Sequence, residues 1–310
     1  MSLNEQILCM DIGGTNIRTG LVDRSLNISG FTIVDSQSIL TGESSFDNLK
    51  GFIGKYISQY MKGSLPAAIS LGFPATIDKA KRSVLSAPNV KGLNNIPIVD
   101  LLIKEFNIPV FIDRDVNMCI CYDMHELNLD SDGVIAAFYI GTGFGNAIWF
   151  NGSVYSGYSG SAGELGHIPV LGRNDVCGCG NRGCIENYTG GKQLENIHAS
   201  YFPETDISDL FENHSHEAVI DEFIEALSIP IATEINILDP DYVILGGGVV
   251  HMRGFPCEKL ESCIRVHTRK PYPNSTLRLR YSVQRQENGV IGAGIYAFDI
   301  LDKMRSEGRQ

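Results

Sequence analysis

Residues 7–22 read ILCMDIGGTNIRTGLV, and residues 134–150 read VIAAFYIGTGFGNAIWF. Each is an apolar run, a glycine-rich turn and a second apolar run, a layout that predicts a β-hairpin with a tight turn. In the first, Gly13 and Gly14 let backbone N–H groups approach a ligand, and Thr15 and Asn16 add side-chain donors. Asp11 is close enough in sequence to hold Mg²⁺, directly or through water. Such a turn can cradle phosphate oxygens, although an ordinary hairpin would read the same way. The second segment repeats the design with Gly141, Thr142 and Gly143. Two such segments about 130 residues apart predict a duplicated plan, in which a turn from each half clasps a nucleotide's phosphates across a cleft.

The remaining pattern alternates helices and strands. Phe46, Leu49, Ile53, Tyr56, Ile57 and Tyr60 recur at helical spacing and predict an amphipathic helix over 45–61. Strands are expected at 67–74 and 109–113, with a helix over 115–127. The cluster Arg114-Asp115-Val116-Asn117 falls where the second strand hands over to that helix, the end of an α/β strand at which ligands bind. Asp115 suits a helix N-cap or a general base. Helices are expected near 189–200 and over 216–238, the latter kinked or divided by Pro230. The strand at 241–250 runs into Gly246-Gly247-Gly248, which would either lie flat against a planar ligand such as adenine or form a closely packed turn. A helix over 257–269, a strand over 276–283 and a terminal helix over 289–304 complete the chain.

One stretch, GELGHIPVLGRNDVCGCGNRGCIE from 163 to 186, does not belong to that alternation. It holds His167, Cys177, Cys179 and Cys184, four nitrogen and sulfur donors of the kind that bind a tetrahedral structural zinc. Glu164 and Glu186 lie just outside that set. The other cysteines, Cys9, Cys119, Cys121, Cys257 and Cys263, stand in apolar or helical contexts and read as packing residues. With 36 acidic and 25 basic side chains the formal charge is −11, which argues against a nucleic-acid or anionic-membrane surface as main partner. No membrane-length apolar run or signal-peptide layout is present, so the expected location is the cytoplasm.

Taken together, DIGGTNIR (11–18), RDVN (114–117), the Gly143–His167 segment, CGCGNRGCIE (177–186) and LGGGV (245–249) resemble the ROK family of sugar kinases and repressors, nearly end to end. Within it the chain is most similar to the D-allose kinases, on GFPATIDKAKRSVLSAPN (72–89), RDVN, the GTGFG…IWFNG run and INILDPDYVILGGGV. The resemblance implies an actin/hexokinase-like (ribonuclease H-like) duplicated α/β fold, two domains flanking a cleft. A smaller N-terminal domain would span 1–115, with the terminal helix, about 289–310, packed back on it. A larger domain would span 116–288 and carry the zinc-binding segment 167–184. ATP phosphates would lie near Asp11, Gly13, Gly14, Thr15 and Asn16 and near Gly141, Thr142 and Gly143, with the adenosine end at Gly246, Gly247 and Gly248. Asp115 would be the catalytic base, and Asn89, Arg114, Asp115, Glu164, His167 and Glu186 would line the hexose.

The implied activity is transfer of the γ-phosphoryl group of Mg-ATP to a hexose hydroxyl, most simply O6 of D-allose. Glucose, mannose and an N-acetylhexosamine remain alternatives. Zinc would be structural, because three thiolates and an imidazole leave no position for water. A homodimer fits the family. Two features depart from the commonest pattern: Arg114 stands where Asn usually precedes the catalytic Asp, and Gly145-Asn146-Ala147 replaces a more glycine-rich tail. The rival readings are a repressor, which would carry a helix-turn-helix ahead of Asp11, and a non-catalytic zinc-stabilised sugar-binding protein.

Overall fold

The computed structural model describes residues 5–88, 90, 92–129 and 132–308. The chain divides into two compact units, Met1–Asn128 with Ser156–Ala162 and Arg285–Gln310, and Leu129–Tyr155 with Gly163–Gln284.

In the first unit, β1 (Gln6–Ile12), β2 (Asn16–Asp23) and β3 (Ile28–Asp35) form an antiparallel meander. β4 (Ala68–Phe73) pairs parallel with β1. After a short hairpin of β5 (Thr76–Ile77) and β6 (Val84–Ser86), β7 (Val110–Arg114) pairs parallel with β4. The sheet order is β3-β2-β1-β4-β7. Alternate residues of β1 serve two cores, which is why that strand reads as a continuous apolar run. Leu8, Met10 and Ile12 face the helices Ser45–Met61 and Ile98–Phe106, with Leu49, Ile53 and Leu102. Ile7 and Cys9 face the terminal helix Asn288–Ser306 through Val290, Ala293 and Ala297. That helix also packs on Asp115–Glu126 so closely that a Cβ on Gly292 would lie 1.9 Å from the Met118 carbonyl oxygen. The first unit therefore runs past residue 115, the expected boundary, to Asn128, because the helix Asp115–Glu126 is packed within it.

The second unit repeats the plan. β8 (Val134–Ile140), β9 (Phe144–Phe150) and β10 (Ser153–Val154) are antiparallel, and β11 (Tyr242–Gly246) and β12 (Leu279–Tyr281) add in parallel. The order β10-β9-β8-β11-β12 is that of the first sheet, three meander strands followed by two parallel ones. Its core joins Phe138, Ile140 and Leu245 to the helices Ala218–Leu238 and Cys257–His267.

Of the two alternatives at Pro230, a kink or a division, division is excluded: Ala218–Leu238 is one element with Pro230 buried inside it. Packing of Leu227, Ile231 and Ile235 outweighs the backbone bond that the proline ring removes. The strand expected over 276–283 is only Leu279–Tyr281, an edge strand paired on one side. Among the described residues no helix is long and apolar enough to cross a membrane.

Candidate active site

The first glycine turn links β1 to β2. Gly13 N–H donates to the Asn16 carbonyl at 2.9 Å, and Ser36, which follows β3, braces the turn by donating its hydroxyl to the Gly13 carbonyl at 2.6 Å. Gly14 and Thr15 are exposed at the tip. Asp11 is the last but one residue of β1, and the antiparallel register sets Arg18 directly opposite it, so that guanidinium and carboxylate meet at 3.4 Å. Burial still raises the Asp11 pKa above the ordinary carboxylate value, with Arg18 opposing the shift.

Asp115 lies at the end of β7, as the first residue of the helix Asp115–Glu126, with Arg114 in the N-cap position. Its Oδ1 accepts from the Val116 N–H at 2.8 Å. Burial, and then the negative charge of Asp11, push its pKa from 3.8 up to about 6. The two carboxylates thus form an acidic pair that Arg18 offsets only in part, an electrostatic setting that a divalent cation suits.

The segment is held from below by Asp113, which is 3% exposed. Its Oδ1 accepts from the Arg114 N–H and from Asn117 Nδ2, both at 2.8 Å, and its Oδ2 meets Lys81 Nζ at 2.6 Å. Arg114 is itself buried and donates from Nη1 to the Ala162 carbonyl at 2.6 Å. Asn89 lies outside the described residues.

In the second unit the turn Gly141-Thr142-Gly143 joins β8 to β9, with Thr142 exposed. Glu186 begins the short helix Glu186–Thr189 and accepts from the Phe144 N–H at 3.0 Å. It sits so tightly beneath the turn that a Cβ on Gly143 would fall 2.2 Å from its Oε2. The Gly246–Gly248 run divides in character. A Cβ on Gly246 would meet Ser282 Oγ at 2.3 Å, and Gly247, at φ +92°, would meet the Ile140 backbone within 2.4 Å. Packing explains those two glycines, and Gly248 alone of the three faces open space.

His167 closes the single turn Leu165–His167, and its donor atom lies with the thiols of Cys177, Cys179 and Cys184, all four within 4.8 Å of one another. Cys177 Sγ is 3.6 Å from His167 Nδ1, and Cys179 Sγ is 3.7 Å from Cys184 Sγ. Two thiolates bound tetrahedrally at Zn–S distances of about 2.3 Å would stand about 3.8 Å apart, so the donor set fits zinc. The other imidazole nitrogen, Nε2, lies 3.5 Å from Glu164 Oε2. An imidazole fixed by metal on one nitrogen presents the other in a defined direction, here beside a carboxylate.

Comparison with known proteins bears on what this arrangement is for. The ROK family model matches residues 7–299. The chain belongs to the ROK family. It is 32% identical to the N-acetyl-D-glucosamine kinase of Aliivibrio fischeri over 259 residues, covering 77% of this chain and 82% of that protein. It is 27% identical to the xylose repressor of Caldicellulosiruptor bescii, covering 81% of this chain and 66% of the repressor. Among solved structures, the ROK glucokinase of Streptomyces griseus in complex with glucose and AMPPNP superposes with a TM-score of 0.76 at 22% identity, over 93% of this chain and 97% of that one. The expected hexokinase-like α/β fold is therefore the fold of this ROK protein.

Of the residues expected at the site, Asp11, Gly13, Gly14, Thr15, Asn16, Arg114 and Asp115 belong to the first unit. Gly141 to Gly143, Glu164, His167, the cysteines, Glu186 and Gly246 to Gly248 belong to the second. Within the first unit Asp11 lies near enough to Asp115 to shift it; within the second Gly143 packs on Glu186, Gly247 packs on Ile140 and His167 joins the three cysteines. Arg18, Asp113 and Lys81 were not anticipated. Arg18 was legible, since a hairpin closed at residues 13–15 pairs 11 with 18. Lys81 was not, because nothing local reveals that it reaches Asp113, 32 residues away.

Proposed function

We propose that this ROK protein is an ATP-dependent hexose kinase in which Asp115 is the general base. One observation carries the reading: a carboxylate at the end of β7, fixed by the Val116 N–H and set against Asp11, with its pKa raised to about 6. A base in that range is ionised at neutral pH yet still takes a proton in the transition state. Asp115 accepts the proton of the sugar hydroxyl, O6 in this reading, as that oxygen bonds to the γ-phosphorus. The bond from the γ-phosphorus to the bridging oxygen breaks, and ADP leaves with the electron pair. Backbone amides of the two glycine turns bind phosphate oxygens. Mg²⁺ bound with ATP offsets the phosphate charge, and Asp11 is the residue that would hold it, directly or through water. His167, Cys177, Cys179 and Cys184 would hold a zinc with no open position, so its contribution is rigidity.

Glu164, His167 and Glu186, with Arg114, are assigned to orienting the sugar. A wrong epimer would leave these polar groups unpaired, which is how such sites discriminate. D-Allose is the first reading for the sugar, on the resemblance of segments 72–89 and 235–249. An N-acetylhexosamine is the second, favoured by the Aliivibrio fischeri relative. The test is ADP release with Mg-ATP and a panel of D-allose, D-glucose, D-mannose, N-acetylglucosamine and N-acetylmannosamine. The highest kcat/KM identifies the sugar. Sugar binding without turnover on any member would overturn the kinase reading in favour of a sensor.

A further inference from the structure

Two of the three carbonyls of the turn Gly141-Thr142-Gly143, those of Gly141 and Thr142, are taken up from below. The helix Gly191–Tyr201 starts directly beneath it, and its first two N–H groups donate upward. Gly191 N–H bonds the Gly141 carbonyl at 2.8 Å, and Lys192 N–H bonds the Thr142 carbonyl at 3.1 Å. The Gly143 carbonyl accepts from the Gly141 N–H at 3.1 Å, and the Phe144 N–H donates to Glu186 at 3.0 Å.

In a trans peptide the C=O of one residue and the N–H of the next point in opposite directions. The only cis peptides among the described residues are Lys270-Pro271 and Tyr272-Pro273, so this turn is trans throughout. With the Gly141 and Thr142 carbonyls directed at the helix, the N–H groups of Thr142 and Gly143 point the other way. Two successive N–H groups aimed outward make an anion-binding nest.

The contact tolerates no side chain. A Cβ on Gly191 would lie 2.5 Å from the Gly141 carbonyl oxygen, and one on Gly190 would lie 3.0 Å from the Gly143 Cα. Both obstacles are backbone. Gly190 and Gly191 are therefore glycines because the helix start must touch the turn.

We infer that Gly190, Gly191 and Glu186 are positioning residues that set the peptide orientation of the Gly141–Gly143 turn, so that the Thr142 and Gly143 N–H groups meet the phosphates of ATP. This rests on the kinase reading and adds to it a role for Glu186 distinct from any contact with sugar. None of the three touches the nucleotide; each acts through the turn.

The test is steady-state kinetics, with ATP and sugar varied separately, on Gly191→Ala, Glu186→Ala and Glu186→Gln. Gly51→Ala serves as control, because nothing lies within 4 Å of a Cβ at that helical position. Gly191→Ala should raise KM for ATP, or lower kcat/KM for ATP, by about tenfold or more while KM for sugar moves about twofold or less. Glu186→Ala should also weaken ATP use. Glu186→Gln, whose amide oxygen still accepts from the Phe144 N–H, should restore ATP use whatever it does to sugar affinity. An unchanged ATP dependence in Gly191→Ala, or a Glu186→Ala effect confined to sugar, overturns the inference. If circular dichroism shows Gly191→Ala unfolded, the Glu186 pair decides by the same criterion. Absence of turnover in the wild-type chain on every sugar would instead overturn the kinase reading, so the two failures are distinguishable.

Discussion

Replacing Asp115 by Asn should abolish turnover and at the same time stabilise the protein, a pairing that few other substitutions would produce. The carboxyl is held at a pKa of about 6 against an ordinary 3.8, through burial and the neighbouring Asp11. A tenfold change in proton affinity corresponds to about 1.4 kcal/mol, so ionised Asp115 weighs against the fold by up to about 3 kcal/mol. The side chain is only partly buried, and the solvent it retains reduces the expected effect to about 1–3 kcal/mol. The sign follows from the raised folded value. The favourable contribution of this group is complete below the unfolded pKa of 3.8 and is lost as pH rises through about 6. Asn keeps the oxygen that accepts from the Val116 N–H and never ionises. In Mg²⁺-free buffer, urea unfolding at pH 7.5 should therefore show the variant more stable by about 1–3 kcal/mol, a gain that falls to about a third near pH 4.5 and vanishes only below the unfolded pKa of 3.8. Turnover at saturating substrate should fall about a hundredfold or more, with sugar binding retained in titration calorimetry. A variant that keeps its activity would refute the role of base. One that is inactive but less stable than the wild type at pH 7.5 would refute the electrostatic account of the site.

Three further outcomes are expected. Glu234, 5% exposed and bonded to Asn146 Nδ2 at 3.1 Å, has its pKa raised by burial to about 7. Its ionisation opposes folding as pH rises through that value, so Glu234→Gln should stabilise at pH 8.5 by about 1–3 kcal/mol and become neutral only below the unfolded value of 4.5, read from urea midpoints. Metal analysis should find about one zinc per chain, and Cys184→Ser should lose it together with several degrees of melting temperature; a metal-free wild type of unchanged stability would contradict the site. Gly292→Ala forces a methyl onto the Met118 carbonyl and should destabilise by more than about 2 kcal/mol in chemical denaturation, whereas the exposed Gly51→Ala should not.

How far the sequence could be read depended on the range of the interaction. The hairpins at 7–22 and 134–150 were legible because a tight turn and its flanking strands are settled within a few residues. The helix Ser45–Met61 was legible for the same reason, since one apolar stripe at helical spacing can face only one core. At Pro230 the sequence left a kink and a division both open, because the local cost of a proline says nothing of the packing that keeps the helix in one piece. The Gly246–Gly248 run was ambiguous in sequence, since a glycine beside a ligand and a glycine beside Ser282 or Ile140 leave the same letter.

The site shows the same division. Spacing alone marked out His167, Cys177, Cys179 and Cys184, since donors of the right chemistry crowded into one segment have few other uses. The acid at 115 and the glycines at 13–14 and 141–143 were likewise chosen from local pattern, and the duplicated order of the two sheets follows from the repeated segment. The tertiary structure decided what these residues rest on. Lys81 reaches Asp113 beneath the base, Arg114 is turned to the Ala162 carbonyl, and Glu186 with the start of the helix Gly191–Tyr201 supports the second turn. Those partners are remote in sequence or carry no distinctive pattern, and hydrogen bonds form between atoms that packing brings within reach. Spacing along the chain records the chemistry of a site, but the support beneath it exists only once the chain has closed on itself.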